Sequence, residues 1–248
     1  MDAADARRVP GRQDFFAMAV SSGSVPAHFA DRTEMAADID AVVFDFEGTL
    51  VDFQWRLAEA ETELRRAFAA AGHATSGNYA ELWNAAADLA AARGGLGELR
   101  RALCPVYDRW DADALSRWRP RPGVSELLRE LQRRGIRAAM VSNIGRAALA
   151  RALGRFDLER WLSPVVSRDE VTWMKPHPEG VRRVLATLGV APSAALFVGD
   201  SRADVLAARA VGMRVAIIRG GECGEAAFAS LPPDRLISGF DEVSALIA

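Results

Sequence analysis

Two acids stand two residues apart where a short apolar run ends, Val42-Val43-Phe44 leading straight into Asp45-Phe46-Glu47-Gly48-Thr49. A carboxylate in such a place can act as a nucleophile, as a general acid or base, or as a ligand to a hard cation. Similar punctuation recurs further on. Ser142-Asn143 closes the run from Ile136 to Val141, Lys175 precedes a proline, and Asp200 and Asp204 follow Ala195 to Val198. Acids brought together repel and stay ionised only when a cation joins them, and an all-oxygen set favours Mg²⁺ over Ca²⁺. Composition singles out Lys175: every other one of the 31 basic residues is arginine. Lysine offers a compact ammonium where arginine offers a broad planar fork, so a position that keeps lysine suits a site the fork does not fit.

The elements that must hold these groups alternate. Apolar runs at 42–44, 136–141, 165–166, 195–198 and 214–218 read as strands. Between them, Val124, Leu127, Leu128 and Leu131, then residues 145–153, the stretch from Pro178 to Leu188, and Arg202 to Ala210 read as helices. Strand and helix in alternation imply an α/β fold, a parallel sheet with helices on both faces. In such a sheet the C-terminal strand ends lie side by side, which would gather Asp45, Ser142 and Asp200. Residues 54–119 break the pattern as an α-helical insertion. Leu57, Ala60, Leu64 and Phe68 mark one helix, and Tyr79, Leu82, Trp83 and Ala86 a second. A third is expected after Gly97 and a fourth after Asp111, with Gly94-Gly95 and Cys104-Pro105 as breaks. Trp55, Trp83, Trp110 and Trp118 are read as core of this helical bundle.

Residues 1–37 carry Pro10, Gly11, Pro26 and a Ser-Ser-Gly-Ser run without sustained period, and read as a tail. Arg7-Arg8 lacks the long apolar segment of an export signal, and Met35 is a plausible start. A formal charge of -2 and pI ≈ 6.0 supply no basic field for nucleic acid. No apolar run is long enough to span a bilayer. Cys104 and Cys223, far apart, fit a reducing compartment, hence the cytoplasm.

Taken together, the stretches 45–49, Ser142, Lys175-Pro176 and Gly199-Asp200-Ser201-Arg202-Ala203-Asp204 resemble the four motifs of the haloacid dehalogenase-like hydrolases. The likeness spans residues from about 40 to 220, and is to the phosphatase branch with a helical cap, typified by phosphoglycolate phosphatase and β-phosphoglucomutase. The resemblance implies a Rossmann-like core of residues 38–53 and 120–248, a cap of residues 54–119, and a Mg²⁺-dependent phosphatase acting on a small phosphorylated metabolite. It casts Asp45 as nucleophile and Lys175 as the charge-neutralising amine. Asp45, the Glu47 carbonyl and Asp200 would hold Mg²⁺, with Asp204 as ligand or support. Ser142, the Asn143 amide and Thr49 would bind the phosphoryl group.

One position departs from the pattern. The acid two after the nucleophile is usually aspartate and here is Glu47, whose extra methylene is expected to misplace the acid and base and slow hydrolysis of the phosphoenzyme. A phosphomutase would use the same residues. A phosphate- or partner-binding protein with little turnover is the alternative from another class, and a dehalogenase would not need Asp200 and Asp204. Arg56, Arg93 and Arg121 are candidates to meet the substrate, with none preferred. Substrate and oligomeric state are left open.

Overall fold

In the computed structural model, the described residues run from 38 to 247. The expected tail, residues 1–37, lies outside them. The order is β1 (Ala41–Phe44), α1 (Leu57–Ala70), α2 (Tyr79–Arg93), α3 (Leu96–Leu115), α4 (Val124–Arg133), β2 (Arg137–Val141) and α5 (Arg146–Arg155). It continues with β3 (Val165–Val166), α6 (Glu179–Leu188), β4 (Ala195–Gly199), α7 (Arg202–Arg209), β5 (Arg214–Ile218), β6 (Arg235–Ile237) and α8 (Phe240–Leu246).

The six strands form one sheet in the order β3-β2-β1-β4-β5-β6, parallel throughout. The alternation of each strand divides the core in two. Val42, Phe44, Met140 and Val198 face one apolar cluster with α4, α5 and α8. Ala41, Val43, Ala139 and Phe197 face another with α6 and α7. Burial on both faces is why these strands are continuously apolar rather than alternating with polar residues. The sheet is therefore the α/β arrangement expected, with one strand, β6, and one helix, α8, beyond those read from the sequence.

Between β1 and α4 lie α1, α2 and α3. Asn78 starts α2 with a capping box, its side chain accepting from the Ala80 and Glu81 amides, and Gly94 ends the helix at φ 74. The expected third and fourth helices are one. Helix α3 runs through Pro105 without a break. A proline costs one backbone hydrogen bond and crowds the preceding turn, but Leu99, Leu103, Tyr107, Asp111 and Ala114 form a buried stripe along the whole length of α3. Tertiary burial of that stripe outweighs the local break. Trp83 and Trp118 are fully buried and Trp55 nearly so, as expected of core, whereas Trp110 is only partly covered.

Among the described residues no helix is long and apolar enough to cross a membrane. Cys104 and Cys223 are both free thiols.

Candidate active site

The first strand pairs Phe44 with Met140 on one side and Val198 on the other. Asp45 consequently stands level with Val141 and Gly199, one residue short of Ser142 and Asp200. Register alone brings the three strand ends together.

The lysine arrives from a loop, and helix α2 fixes that loop. Trp83 Nε1 donates to the Thr172 carbonyl at 2.9 Å, and the Asn84 amide exchanges bonds with the Met174 backbone at 2.8 and 2.9 Å. From the other side, Asn143 accepts from the Lys175 backbone N–H at 2.9 Å and donates to its carbonyl at 3.1 Å. Held so, Lys175 Nζ lies 2.7 Å from Asp45 Oδ1 and 2.7 Å from Asp204 Oδ1. The two carboxylates outweigh burial and hold the ammonium above its ordinary pKa.

Asp204 and Asp200 are fixed as firmly. Asp204 sits in the first turn of α7, where its Oδ2 accepts from the backbone N–H groups of Asp200 and Ser201 and from Ser201 Oγ. Asp200 Oδ1 accepts from Thr49 Oγ1 at 3.0 Å and Oδ2 from the Glu222 amide at 2.6 Å. Gly48 is required beside it: its φ is +79, and a Cβ there would lie 2.1 Å from Asp200 Oδ2. Arg121 braces the same turn, donating to the Gly48 carbonyl at 2.5 Å and to the Arg219 carbonyl.

Oxygens of Asp45, Asp200 and Asp204 lie within 4.8 Å of one another, and all three acids are buried. Burial, with the Asp204 charge added, pushes Asp45 up to about 6 despite Lys175. Asp200 is raised by burial and then by Asp45 and Asp204. This surplus of buried negative charge, presented by oxygen atoms alone, is what a hard divalent cation would neutralise. The residues fit such an ion.

A family model for haloacid dehalogenase-like hydrolase matches residues 39–212 of the 248. The chain belongs to that family. Among curated relatives, a phosphoglycolate phosphatase of Cupriavidus necator is 31% identical over 84% of this chain and 92% of its own length. One from Photorhabdus laumondii is 30% identical over 84% and 92%. CbbY from Rhodobacter sphaeroides, solved in complex with phosphate, aligns with a TM-score of 0.56 at 26% identity over 84% of this chain and 99% of its own. A haloacid dehalogenase-like hydrolase from Streptococcus pneumoniae shares the fold at a TM-score of 0.58 and 19% identity, covering 85% and 99%.

Within this family frame, each residue singled out by sequence can be placed. Asp45, Glu47, Ser142, Asn143 and Lys175 line one small cavity of ≈ 30 Å³. Thr49 is fully buried, and its hydroxyl is spent on Asp200. Asp200 and Asp204 are buried and do not line the cavity. The three arginines raised as substrate contacts do not line it: Arg56 pairs with Asp113, Arg121 braces the Gly48 turn, and Arg93 borders a separate surface hollow.

Glu47 does not sit loosely. Its Oε1 accepts from the backbone N–H groups of Gln54 and Trp55 and from Trp118 Nε1, each at 2.8 Å. These donors belong to the two chain segments that lead into and out of the helical insertion. The extra methylene, expected to be a misfit, therefore has three donors waiting at its end. Burial pushes Glu47 up to about 8, against the pull of the Trp118 bond.

Sequence inspection missed two groups. Tyr79 and Glu222 both line the cavity. Glu222 follows β5, so the rule that ligands gather at the C-terminal ends of parallel strands already pointed to it. Burial and then the Asp204 and Asp45 charges push it up to about 7. Tyr79 was read only as part of an apolar helix face, and its burial raises its phenol. Asp111, read as a helix start, lies deep in α3. Its Oδ2 accepts from the Gly145 amide and from Arg168 Nη1, both at 2.9 Å, and Oδ1 from Trp55 Nε1 at 3.1 Å. An acid inside an apolar helical stripe was the available signal, because a buried charge needs a partner.

Proposed function

We propose that the protein is a Mg²⁺-dependent phosphatase that hydrolyses a small phosphorylated metabolite through an aspartyl-phosphate on Asp45. The observation carrying this is the 2.7 Å pairing of Asp45 with the buried Lys175 at a strand end, with Asp200 and Asp204 beside it. A carboxylate can attack a phosphoryl dianion only where positive charge offsets the repulsion. Lys175 supplies part of that charge. Asp45, the Glu47 carbonyl and Asp200 are the residues to hold Mg²⁺, with Asp204 aligning Lys175. When bound, the ion adds charge stabilisation for the transferring phosphoryl group.

In the first half-reaction an Asp45 oxygen bonds to phosphorus, the ester bond to the leaving alcohol breaks, and Glu47 donates the alcohol its proton. In the second, Glu47 takes a proton from water as its oxygen attacks phosphorus, which frees phosphate and returns Asp45 as carboxylate. Glu47 Oε1 is held by its three donors, so proton transfer falls to Oε2. Ser142 and the Asn143 amide bind phosphoryl oxygens.

Helices α1–α3 act as a cap over the strand ends. A cavity of ≈ 30 Å³ is too small for a phosphate ester, so entry of one calls for the cap to open. The names of the relatives favour a phosphatase over a phosphomutase of the same family. Two free thiols support a cytoplasmic setting.

The test is release of phosphate from p-nitrophenyl phosphate with and without Mg²⁺. Turnover that needs the ion and disappears in Asp45→Asn is expected. A phosphate-binding protein would show neither.

A further inference from the structure

On the phosphatase assignment above, we infer that the group released with the phosphate is an uncharged or amine-bearing alcohol, and that Glu222 selects against carboxylate-bearing esters. Three of the cavity's lining residues are acids, Asp45, Glu47 and Glu222, and among the described residues that line it Lys175 is the sole cation. That ammonium is spent, lying 2.7 Å from both Asp45 and Asp204. It is also the charge that the phosphoryl group itself requires.

The arginines closest in sequence to the lining residues are engaged elsewhere: Arg56 pairs with Asp113, Arg146 with Glu170, and Arg202 donates to the Ala227 carbonyl and the Ser230 hydroxyl. Arg121 is held on two backbone carbonyls, Arg168 is buried against Asp111, and Arg219 pairs with Glu225. A substrate that carried a carboxylate next to its phosphate would bury that second anion beside Glu222, with Lys175 and the ion both committed to the phosphoryl group, an arrangement that disfavours binding. The remaining lining suits a different chemistry. Phe53 and Tyr79 offer apolar surface and a phenol, Ser201 a hydroxyl, and Glu222 a carboxyl group that can accept from a hydroxyl or an ammonium.

Glu222 is held in place from its own backbone. Its N–H donates to Asp200 Oδ2 at 2.6 Å, and a Cβ on the preceding Gly221 would come 2.2 Å from that same oxygen. Residue 222 therefore cannot drift from the site without disturbing Asp200. The side chain, not the backbone bond, is free to set specificity.

Three two-carbon esters make the test, on the full chain with Mg²⁺: phosphoglycolate, 2-hydroxyethyl phosphate and phosphoethanolamine, which differ in ending as anion, neutral group or cation. kcat/KM for the neutral or cationic ester is expected to exceed that for phosphoglycolate by about tenfold or more, as like-charge exclusion requires. Glu222→Gln, which keeps shape and the backbone bond, should narrow that ratio, and Glu222→Lys should narrow it further or reverse it. A smaller ratio in the native protein, or one that neither variant moves, overturns the inference and leaves the phosphatase assignment standing. So does turnover of p-nitrophenyl phosphate with none of the three esters accepted. Failure to hydrolyse any of the four removes the phosphatase assignment, and the inference with it.

Discussion

Glu47 shows how one methylene changes what a residue can be asked to do. An aspartate at this position would end roughly 1.5 Å short of the point where Gln54, Trp55 and Trp118 converge. Glu47→Asp should therefore strand those donors and lower steady-state turnover, by up to about 10²-fold for a displacement of this order. Rapid mixing with p-nitrophenyl phosphate would show both phases reduced. A rise in turnover with a smaller burst would mean that the longer chain is a handicap after all. Lys175 gives a second prediction at this scale. A lysine-selective reagent finds one side-chain amine in the sequence, but Nζ is buried, charged and paired with two carboxylates. In the folded protein it should resist modification, and in denaturant it should react fully, as mass spectrometry of the peptide containing it would read.

Helix α3 and the loop that follows β2 are joined by a charge rather than by apolar packing alone. The side chains of Arg168 and Asp111 are 0% and 1% exposed, and Asp111 also holds the Gly145 amide next to the Ser142-Asn143 loop. Arg168 further stacks over Tyr107 of the same helix, 5.1 Å from its ring. Removing Asp111 strips the buried guanidinium of its buried partner and leaves it only the more exposed Asp108 and Asp169. Asp111→Ala should cost about 3–5 kcal/mol in urea unfolding. Removing Arg168 from that variant should cost less than removing it from the native protein, because the two contributions are coupled. Additive losses would show that the pair contributes no coupling.

Across the whole described chain, the strand ends concentrate negative charge that the fold itself leaves uncancelled. Three buried acids face one buried lysine. Binding of Mg²⁺ to the folded form alone should raise stability by about 2.7 kcal/mol at a hundredfold excess over Kd. A thermal melt in rising Mg²⁺ would show this as a rising Tm, and Asp200→Asn should remove most of the rise. A chain begun at Met35 should melt cooperatively with the same dependence, since every strand and helix described falls between Ala41 and Leu246. A flat response to Mg²⁺ in the native chain would argue against metal at these acids.

Much of this was written in local pattern. Strands buried on both faces must be apolar, helices between them must show one apolar side, and parallel strand ends must converge, so the α/β sheet and the meeting of Asp45, Ser142 and Asp200 could be read from residue order alone. What local pattern cannot carry is which side chains from distant segments share one space. Cys104-Pro105 argued for a break, and only the buried stripe from Leu99 to Ala114 made α3 one helix. Glu47 looked misplaced until Trp118, 71 residues away, and the Gln54 and Trp55 amides were seen to meet it. Thr49 looked like a phosphate ligand until Asp200, 151 residues on, was found to take its hydroxyl. Periodicity and propensity act over a few residues, whereas burial, and the demand that each buried polar group find a partner, act across the folded chain. The first drew the scaffold of this protein. The second decided which of its polar groups face the cavity and which only hold the others in place.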